Sequence, residues 1–167
     1  MGLEGLALRE RMERPERPGA RYVSTDPKQD SLQFFAVHGI YRYNDGDLAC
    51  RDVFSINIAD AAVAPRGDTI RVRAGGKMNL LQKSQILASR DNRNHLIYDA
   101  DIVVNGAKSY SGKGYIDYID ENEKSQKIFL SEIEPNNAGV TVGNGFISDS
   151  ANFPLNSAFG FAGKVRV

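Results

Sequence analysis

The sequence lacks an excess of either charge. Among its 167 residues, 21 Lys and Arg balance 21 Asp and Glu, so the formal net charge is zero. Proteins that bind nucleic acid need surplus cations to displace the counterions of phosphate. We therefore expect no nucleic-acid partner, although a local basic patch remains compatible with a balanced chain.

Potential metal ligands are also scarce. The chain has one cysteine, Cys50, and two histidines, His38 and His95. A single cysteine cannot form an internal disulfide, and a zinc site needs several Cys or His ligands. We expect no metal and no cofactor. Cys50 lies in the strand-like stretch "DLACRDVF" and is expected to be a small buried apolar residue.

Long apolar runs are missing too. No stretch approaches the roughly 20 residues that span a bilayer, so no transmembrane segment is expected. The N-terminus, "MGLEGLALRERMER", has no basic region before an apolar core, and charge enters at Glu4. We therefore expect that this segment is not a signal peptide. The chain is therefore expected to be either cytoplasmic or a piece of a longer protein.

From Leu32 onward the sequence is rich in aromatic and β-branched residues that alternate with polar ones. Turn signals at Asp45-Gly46, Pro65 to Asp68 and Asn105-Gly106 separate the runs, and Glu121 to Ser125 suits a charged hairpin tip. Roughly ten to twelve short strands are indicated. The pattern predicts an all-β fold of antiparallel sheets, either open and curved or resembling a jelly roll or sandwich.

The first 30 residues differ from the rest. Leu8 and Met12 are spaced for one face of a short helix, and Pro15 and Pro18 would end it. We predict an N-terminal arm or linker with a short helix at residues 1–30, followed by a single all-β domain at residues 31–167.

The stretch "IRVRAGGKMNLL" contains a Gly-Gly-Lys that suggests a phosphate-binding loop. Such a loop requires G-x-x-x-x-G-K-[S/T]. The first glycine position holds Arg71, and the hydroxyl position holds Met78. The pattern instead predicts a hairpin turn at Gly75-Gly76, between strands Thr69–Ala74 and Lys77–Leu81.

The stretch "SYSGKGYIDY" places Gly112 and Gly114 on the same strand face as Tyr110 and Tyr118. Paired glycines favour packing of a neighbouring aromatic side chain across the bare backbone. The functional alternative is a groove that binds a glycan or a lipid. Its candidate lining residues are Tyr110, Tyr115, Tyr118, Phe129 and Phe161.

Catalytic signatures are weak. No G-x-S-x-G elbow is present, and neither His38 nor His95 lies in a recognisable catalytic motif. Asp99 and Asp101 could serve acid–base chemistry, but such pairs are common on solvated strand faces. We expect no enzymatic activity, and a barrel-type enzyme is the third hypothesis.

The chain ends in "AFGFAGKVRV", an apparent strand without a polar tail. It is predicted to be an interaction edge, carrying Phe159, Phe161, Val165 and Val167, whose outer backbone groups pair with a neighbouring strand. The partner would be a β segment of a longer parent chain or another copy of the chain.

Two phrases carry a resemblance, "INIADAAVAP" from Ile56 to Pro65 and "GAKSYSGKGYIDY" from Gly106 to Tyr118. Over residues 20–167 the sequence resembles internal segments of very large uncharacterised cell-envelope proteins of Bacteroidetes. This resemblance implies an exported segment at the cell envelope or surface and carries over no catalytic residue. The leading hypothesis is thus a non-catalytic structural or interaction β module, and the alternative is a glycan- or lipid-binding β domain.

Overall fold

The structure is a computed structural model that describes residue 10 and residues 19–88 and 95–167. The predicted all-β class is confirmed, and its sheets stay open. The predicted helix around Leu8 and Met12 lies outside the described residues. Within them, the strands are β1 (Ala20–Val23), β2 (Gln33–Ala36), β3 (His38–Arg42), β4 (Asp47–Arg51), β5 (Ile56–Ile58), β6 (Ala61–Ala64), β7 (Thr69–Val72), β8 (Leu81–Ala88), β9 (His95–Gly106), β10 (Ser109–Ile119), β11 (Ser125–Pro135), β12 (Thr141–Ile147), β13 (Phe153–Pro154), β14 (Gly160–Phe161) and β15 (Gly163–Arg166).

One large antiparallel sheet dominates the fold. Its ten strands follow the order β1-β2-β5-β6-β8-β9-β10-β11-β12-β15, so β1 and β15 form its two edges. A three-stranded sheet, β3-β4-β7, and a two-stranded sheet, β13-β14, accompany it. In the described part of the chain, three short 3-10 helices connect strands at Pro27–Gln29, Arg66–Asp68 and Asp149–Ala151.

Alternation along the strands creates the core. On β9, for example, Ile97, Ala100, Ile102 and Val104 are buried, while the residues between them are partly or fully exposed. Burying each large aliphatic side chain stabilises the fold by about 1.5–3 kcal/mol. The inner face of the large sheet and the small three-stranded sheet share one apolar cluster, which includes Phe34, Cys50, Ile56, Ile70, Ile86, Leu130, Ile133 and Ile147.

Glycines on β10 and β12 let the strands pack closely. A Cβ at Gly114 would lie 3.0 Å from the Ala100 Cβ, and one at Gly112 would lie 2.6 Å from the Asp101 carbonyl oxygen. The glycines therefore accommodate strand β9. The prediction that an aromatic side chain crosses them is wrong, because aliphatic side chains and backbone of the adjacent strand occupy that space.

Two predicted hairpin turns are confirmed, and one is shifted. Gly46 has φ +65° in the β3–β4 turn, and residues 121–124 form the β10–β11 tip. The β9–β10 turn, however, is Ala107-Lys108 rather than Asn105-Gly106. Gly106 instead ends β9, where a Cβ would lie 3.0 Å from the Gln29 Cα. The close approach of the first 3-10 helix, and not the turn, requires glycine there.

The Gly75-Gly76 turn is confirmed. Both glycines have positive φ, +79° and +76°. The strands on either side of the turn are shorter than predicted. Strand β7 ends at Val72, a single β-bridge joins Val72 to Met78, and β8 begins only at Leu81. The side chain of Gln29 donates a hydrogen bond of 2.8 Å to the Gly76 carbonyl. This turn is thus fixed by a neighbouring side chain.

The sheet begins earlier than the expected boundary at residue 30. Strand β1 pairs with β2, and the Tyr22 ring stacks on Phe34 at 5.3 Å between centroids. Gln29 is buried, and its carbonyl accepts the Ala107 N–H at 2.9 Å. Residues 20–30 are therefore an integral part of the folded domain.

The C-terminal strand is two strands rather than the predicted one. Strand β14 pairs with β13, whereas β15 pairs with β12 in the large sheet. Gly163 has φ +143°, a conformation that L-residues rarely adopt, and it lies at the change of sheet. Phe159 and Phe161 consequently do not share an edge with Val165 and Val167.

We expect Gln29→Ala to lower the free energy of unfolding by about 1–3 kcal/mol, because it leaves a part-buried carbonyl in the Gly75-Gly76 turn without its donor. Chemical denaturation measures this change. Lys28→Ala removes an exposed side chain from the same helix and should change stability by less than about 0.5 kcal/mol. Equal effects of the two substitutions would contradict the proposed anchoring role.

Candidate functional site: an exposed aromatic row

Four aromatic side chains form a row across the outer face of strands β9 to β12. Tyr98 is the cross-strand partner of Tyr115, and Tyr115 is the partner of Phe129. Leu130 pairs with Gly145 at the end of the β11–β12 ladder. Extending this antiparallel register by one residue places Phe146 next to Phe129. We call Tyr98, Tyr115, Phe129 and Phe146 the aromatic row.

Three members of the aromatic row are open to solvent, and Tyr98 is half-buried. The exposed fraction is 36% for Tyr115, 42% for Phe129 and 67% for Phe146. Ring centroids lie 6.3 Å apart for Tyr98 and Tyr115, and 5.1 Å apart for Tyr115 and Phe129. Three strand spacings of roughly 4.8 Å give the row a length of about 14 Å. Such a contiguous exposed aromatic surface is typical of a binding face.

Polar contacts fix the Tyr98 end of the row. The Tyr98 hydroxyl donates a 2.5 Å hydrogen bond to Asp117 Oδ1, and Lys127 Nζ lies 5.2 Å from the centre of its ring. Burial raises the pKa of Tyr98 well above its usual value, and the Asp117 carboxylate raises it further. Tyr98 therefore stays a neutral hydrogen-bond donor at physiological pH.

Polar side chains flank the aromatic row on both sides. On one side, Asp117 and Lys127 are cross-strand partners. On the other side, Asn144 donates a 3.0 Å hydrogen bond to Glu132. Also on that side, Lys113 is the partner of Asp101. Along each strand, the next outward residue is about 7 Å away. The row is therefore a narrow apolar strip between two bands of hydrogen-bonding groups.

The sequence-predicted ligand groove is divided between the two faces of the sheet. Only Tyr115 and Phe129 lie together on the outer face. Tyr110 is buried, and its hydroxyl is 2.7 Å from Thr141 Oγ1. The Tyr118 hydroxyl donates to the Leu155 carbonyl at 2.6 Å, and Phe161 packs against the core. Because alternate residues of a strand face opposite sides, Tyr110 and Tyr118 cannot join Tyr115.

Sequence reasoning missed Tyr98 and Phe146. Phe146 lies in the alternating stretch "TVGNGFI", between the buried residues Gly145 and Ile147. Tyr98 lies in "HLIYDADI", between buried Ile97 and exposed Asp99. Alternation identifies Phe146 as outward-facing, but it places Tyr98 on the same face as buried Ala100 and Ile102. Asp99, with φ +47°, interrupts the alternation and leaves Tyr98 on the outer face. Their alignment with Tyr115 depends on how the strands pair. The register of that pairing shifts near Gly114, on both sides of β10.

The reactive side chains away from the aromatic row include one exposed histidine–aspartate pair and one buried cysteine. His38 Nδ1 lies 2.8 Å from Asp52 Oδ2 in an exposed pair, and the described residues provide this pair with no hydrogen-bonded serine or cysteine. Cys50 is buried as predicted, and burial raises the pKa of its thiol to about 11. In the described ranges, no three His, Cys, Asp or Glu residues gather as metal ligands.

Comparisons with known proteins give no relative: no family model, curated protein or solved structure matches the chain. Among the described residues, no helix has the length and apolar character needed to cross a membrane.

We expect Asp117→Asn to lower the pKa of Tyr98, because the neutral amide no longer disfavours the tyrosinate anion. Because the pKa of Tyr98 is raised in the folded state, Tyr98 stabilises the fold below about pH 10, the ordinary pKa of tyrosine. This stabilisation is lost as the pH rises through the folded-state pKa of Tyr98. Alkaline titration of tyrosinate absorbance, with Tyr98→Phe identifying the signal, measures the shift. Glu134→Gln removes a carboxylate elsewhere on β11 and should leave Tyr98 unchanged. Identical curves for Asp117→Asn and the unmodified protein would refute this electrostatic effect.

Proposed function

We propose that this chain is a non-catalytic interaction module of an exported cell-envelope protein, and that it binds carbohydrate on the aromatic row. The observation that supports this function is a row of aromatic side chains across four strands, in which exposed Tyr115, Phe129 and Phe146 follow half-buried Tyr98 and polar groups flank the row. The envelope location is supported by the resemblance of residues 20–167 to envelope proteins.

The chemistry of the surface favours a sugar chain over a lipid. A sugar ring presents C–H groups on its faces and hydroxyl groups around its edge. The aromatic row matches the C–H groups, while the flanking amide, carboxylate and ammonium groups match the hydroxyls. A lipid chain would require a wider apolar surface, and here polar residues begin about 7 Å to either side of the row.

The row contributes little to folding, which leaves it available for binding. Exposed cross-strand aromatic pairs contribute roughly 0.2–1 kcal/mol each, much less than a buried aliphatic side chain. The inner face beneath the row is already packed by Ile97, Leu130 and Ile147. An aromatic side chain at each of four adjacent outward positions thus exceeds what the fold requires.

Removal of single rings tests the proposal. We expect the protein to bind at least one soluble polysaccharide from a panel of neutral and acidic types, and Tyr115→Ala or Phe129→Ala to weaken binding about tenfold, a loss of about 1.4 kcal/mol. Affinity electrophoresis ranks the panel and titration calorimetry measures affinity. Tyr43→Ala is the matched control, since Tyr43 is 89% exposed on the β3–β4 hairpin, away from the row.

Two outcomes would contradict carbohydrate binding. In one, no polysaccharide is bound, while vesicles bind the protein and Phe129→Ala releases it, as expected of a lipid-binding face. In the other, Tyr43→Ala weakens polysaccharide binding as much as Tyr115→Ala does, which would place binding outside the aromatic row.

Strand pairing at β15 is a second candidate function, in which a β segment of a longer parent chain or another copy of this chain extends the sheet. The amide and carbonyl of Val167 both form hydrogen bonds with Gly143, and this pair continues the pairing of β12 with β15. In an antiparallel pair, every second residue of a strand forms such hydrogen bonds with the neighbouring strand. Val165 therefore also faces β12, while the backbone groups of Lys164 and Arg166 point to the open edge. Those two cations disfavour a like-charged copy at low salt.

We expect the molar mass measured by light scattering to increase with protein concentration at high salt, where the repulsion between the two cationic edges is screened. Arg166→Pro should keep the protein monomeric, because it removes an edge donor without breaking the ladder to β12. Arg166→Ala retains that donor and should still associate. A protein that is monomeric at all concentrations and salt levels would exclude self-pairing.

A further inference from the structure

A second surface feature is a cleft of about 610 Å³ between the three-stranded sheet and the start of β8. Strands β4 and β7 form one wall, and residues 79–83 form the other. Its apolar lining includes Cys50, Ile70 and Leu81, all buried in the core. Clefts of this size between packed elements are common ligand sites.

The cleft is strongly basic although the chain as a whole is neutral. One carboxylate lines it, Asp101, which already accepts the backbone N–H of Lys83 at 3.2 Å. Of the cations that line the cleft, only Arg71 has an acidic partner within salt-bridge distance among the described residues, with its Nε 3.9 Å from Asp47. The four cations that line the basic cleft are Arg51, Arg66, Arg71 and Lys83.

The backbone directs these cations to one place. Arg51 ends β4 and pairs with Thr69 at the start of β7, while Arg66 begins the 3-10 helix that precedes β7. Lys83 has φ +49°. It lies between Leu81 and Ser84, where the register of the β8–β9 pairing shifts. A bulge of this kind redirects a side chain out of the regular alternation.

The basic cleft adjoins the outer face that carries the aromatic row. Asp101, at the cleft wall, is the cross-strand partner of Lys113. Lys113 and Tyr115 are both exposed residues of β10, on either side of the buried Gly114. A chain molecule lying on the β9–β10 end of the row therefore reaches the cleft without leaving the protein surface.

We propose that the basic cleft binds carboxylate groups of the polysaccharide held on the aromatic row, so that the ligand is an acidic, uronate-bearing polysaccharide. This inference rests on the proposed function. Three of the four cations are arginines, whose planar guanidinium groups match a carboxylate with two parallel hydrogen bonds. The zero net charge of the whole chain disfavours nucleic acid, which is attracted by extended positive surfaces.

The test compares polygalacturonic acid with its fully methyl-esterified form, which keeps the sugar backbone and removes the charge. We expect the protein to bind the acid about tenfold more tightly than the ester. Salt should weaken binding of the acid only. Arg51→Ala with Arg66→Ala should abolish this preference while leaving binding of the ester unchanged. Arg21→Ala with Lys124→Ala removes the same charge from outside the cleft and should preserve it.

The outcomes separate the two proposals. If neither form binds, nor any other polysaccharide, the proposed function fails and this inference fails with it. If both forms bind equally, or if the Arg21 and Lys124 substitutions reduce the preference as much as the cleft substitutions do, only the basic cleft assignment fails. Tighter binding of single-stranded DNA than of polygalacturonic acid would overturn the assignment to an acidic polysaccharide.

Discussion

The antiparallel register of strands β9 to β12 is the constraint on which the rest of the structure depends. Alternation forces one residue in two toward the core, and the register then decides which outward residues become neighbours. The pairing of Tyr115 with both Tyr98 and Phe129 is a direct result. A slip of one residue would bury the aromatic row and expose the aliphatic core, so the core itself fixes the row.

Glycine makes that register sterically achievable. A Cβ at Gly143 would lie 2.5 Å from Leu130 Cδ1, and one at Gly114 would lie 3.0 Å from Ile97 Cγ2. These inward positions are empty so that large aliphatic side chains of the adjacent strands can fill them. At these two positions the inward residue is small, while Tyr115 and Phe146 lie on the outer face of the same strands.

Local chemistry explains which features the sequence could predict. Alternation indicated the all-β class, and Asp45-Gly46 and Gly75-Gly76 indicated turns, because each depends on a few consecutive residues. The splitting of the last strand at Ala162 and the position of Gly106 against Gln29 depend on contacts between distant segments. Such contacts leave no local pattern.

The candidate site shows the same division. Tyr115 and Phe129 were among the predicted binding residues, yet Tyr110 and Tyr118 were grouped with them although the strand turns those two inward. Tyr98 and Phe146 join the aromatic row only through pairing across three strand interfaces, with register shifts on either side of β10. The basic cleft likewise assembles residues from β4, β7, β8 and a 3-10 helix.

We propose that the outer face of β9 to β12 is a carbohydrate-binding surface. The most direct test is an NMR titration of the labelled protein with oligosaccharides from the polysaccharide that binds best. We expect the largest shifts in the ring signals of Tyr98, Tyr115, Phe129 and Phe146, with the ring of buried Tyr110 unaffected. Saturating shifts confined to other surfaces, with the signals of the aromatic row unchanged, would contradict it.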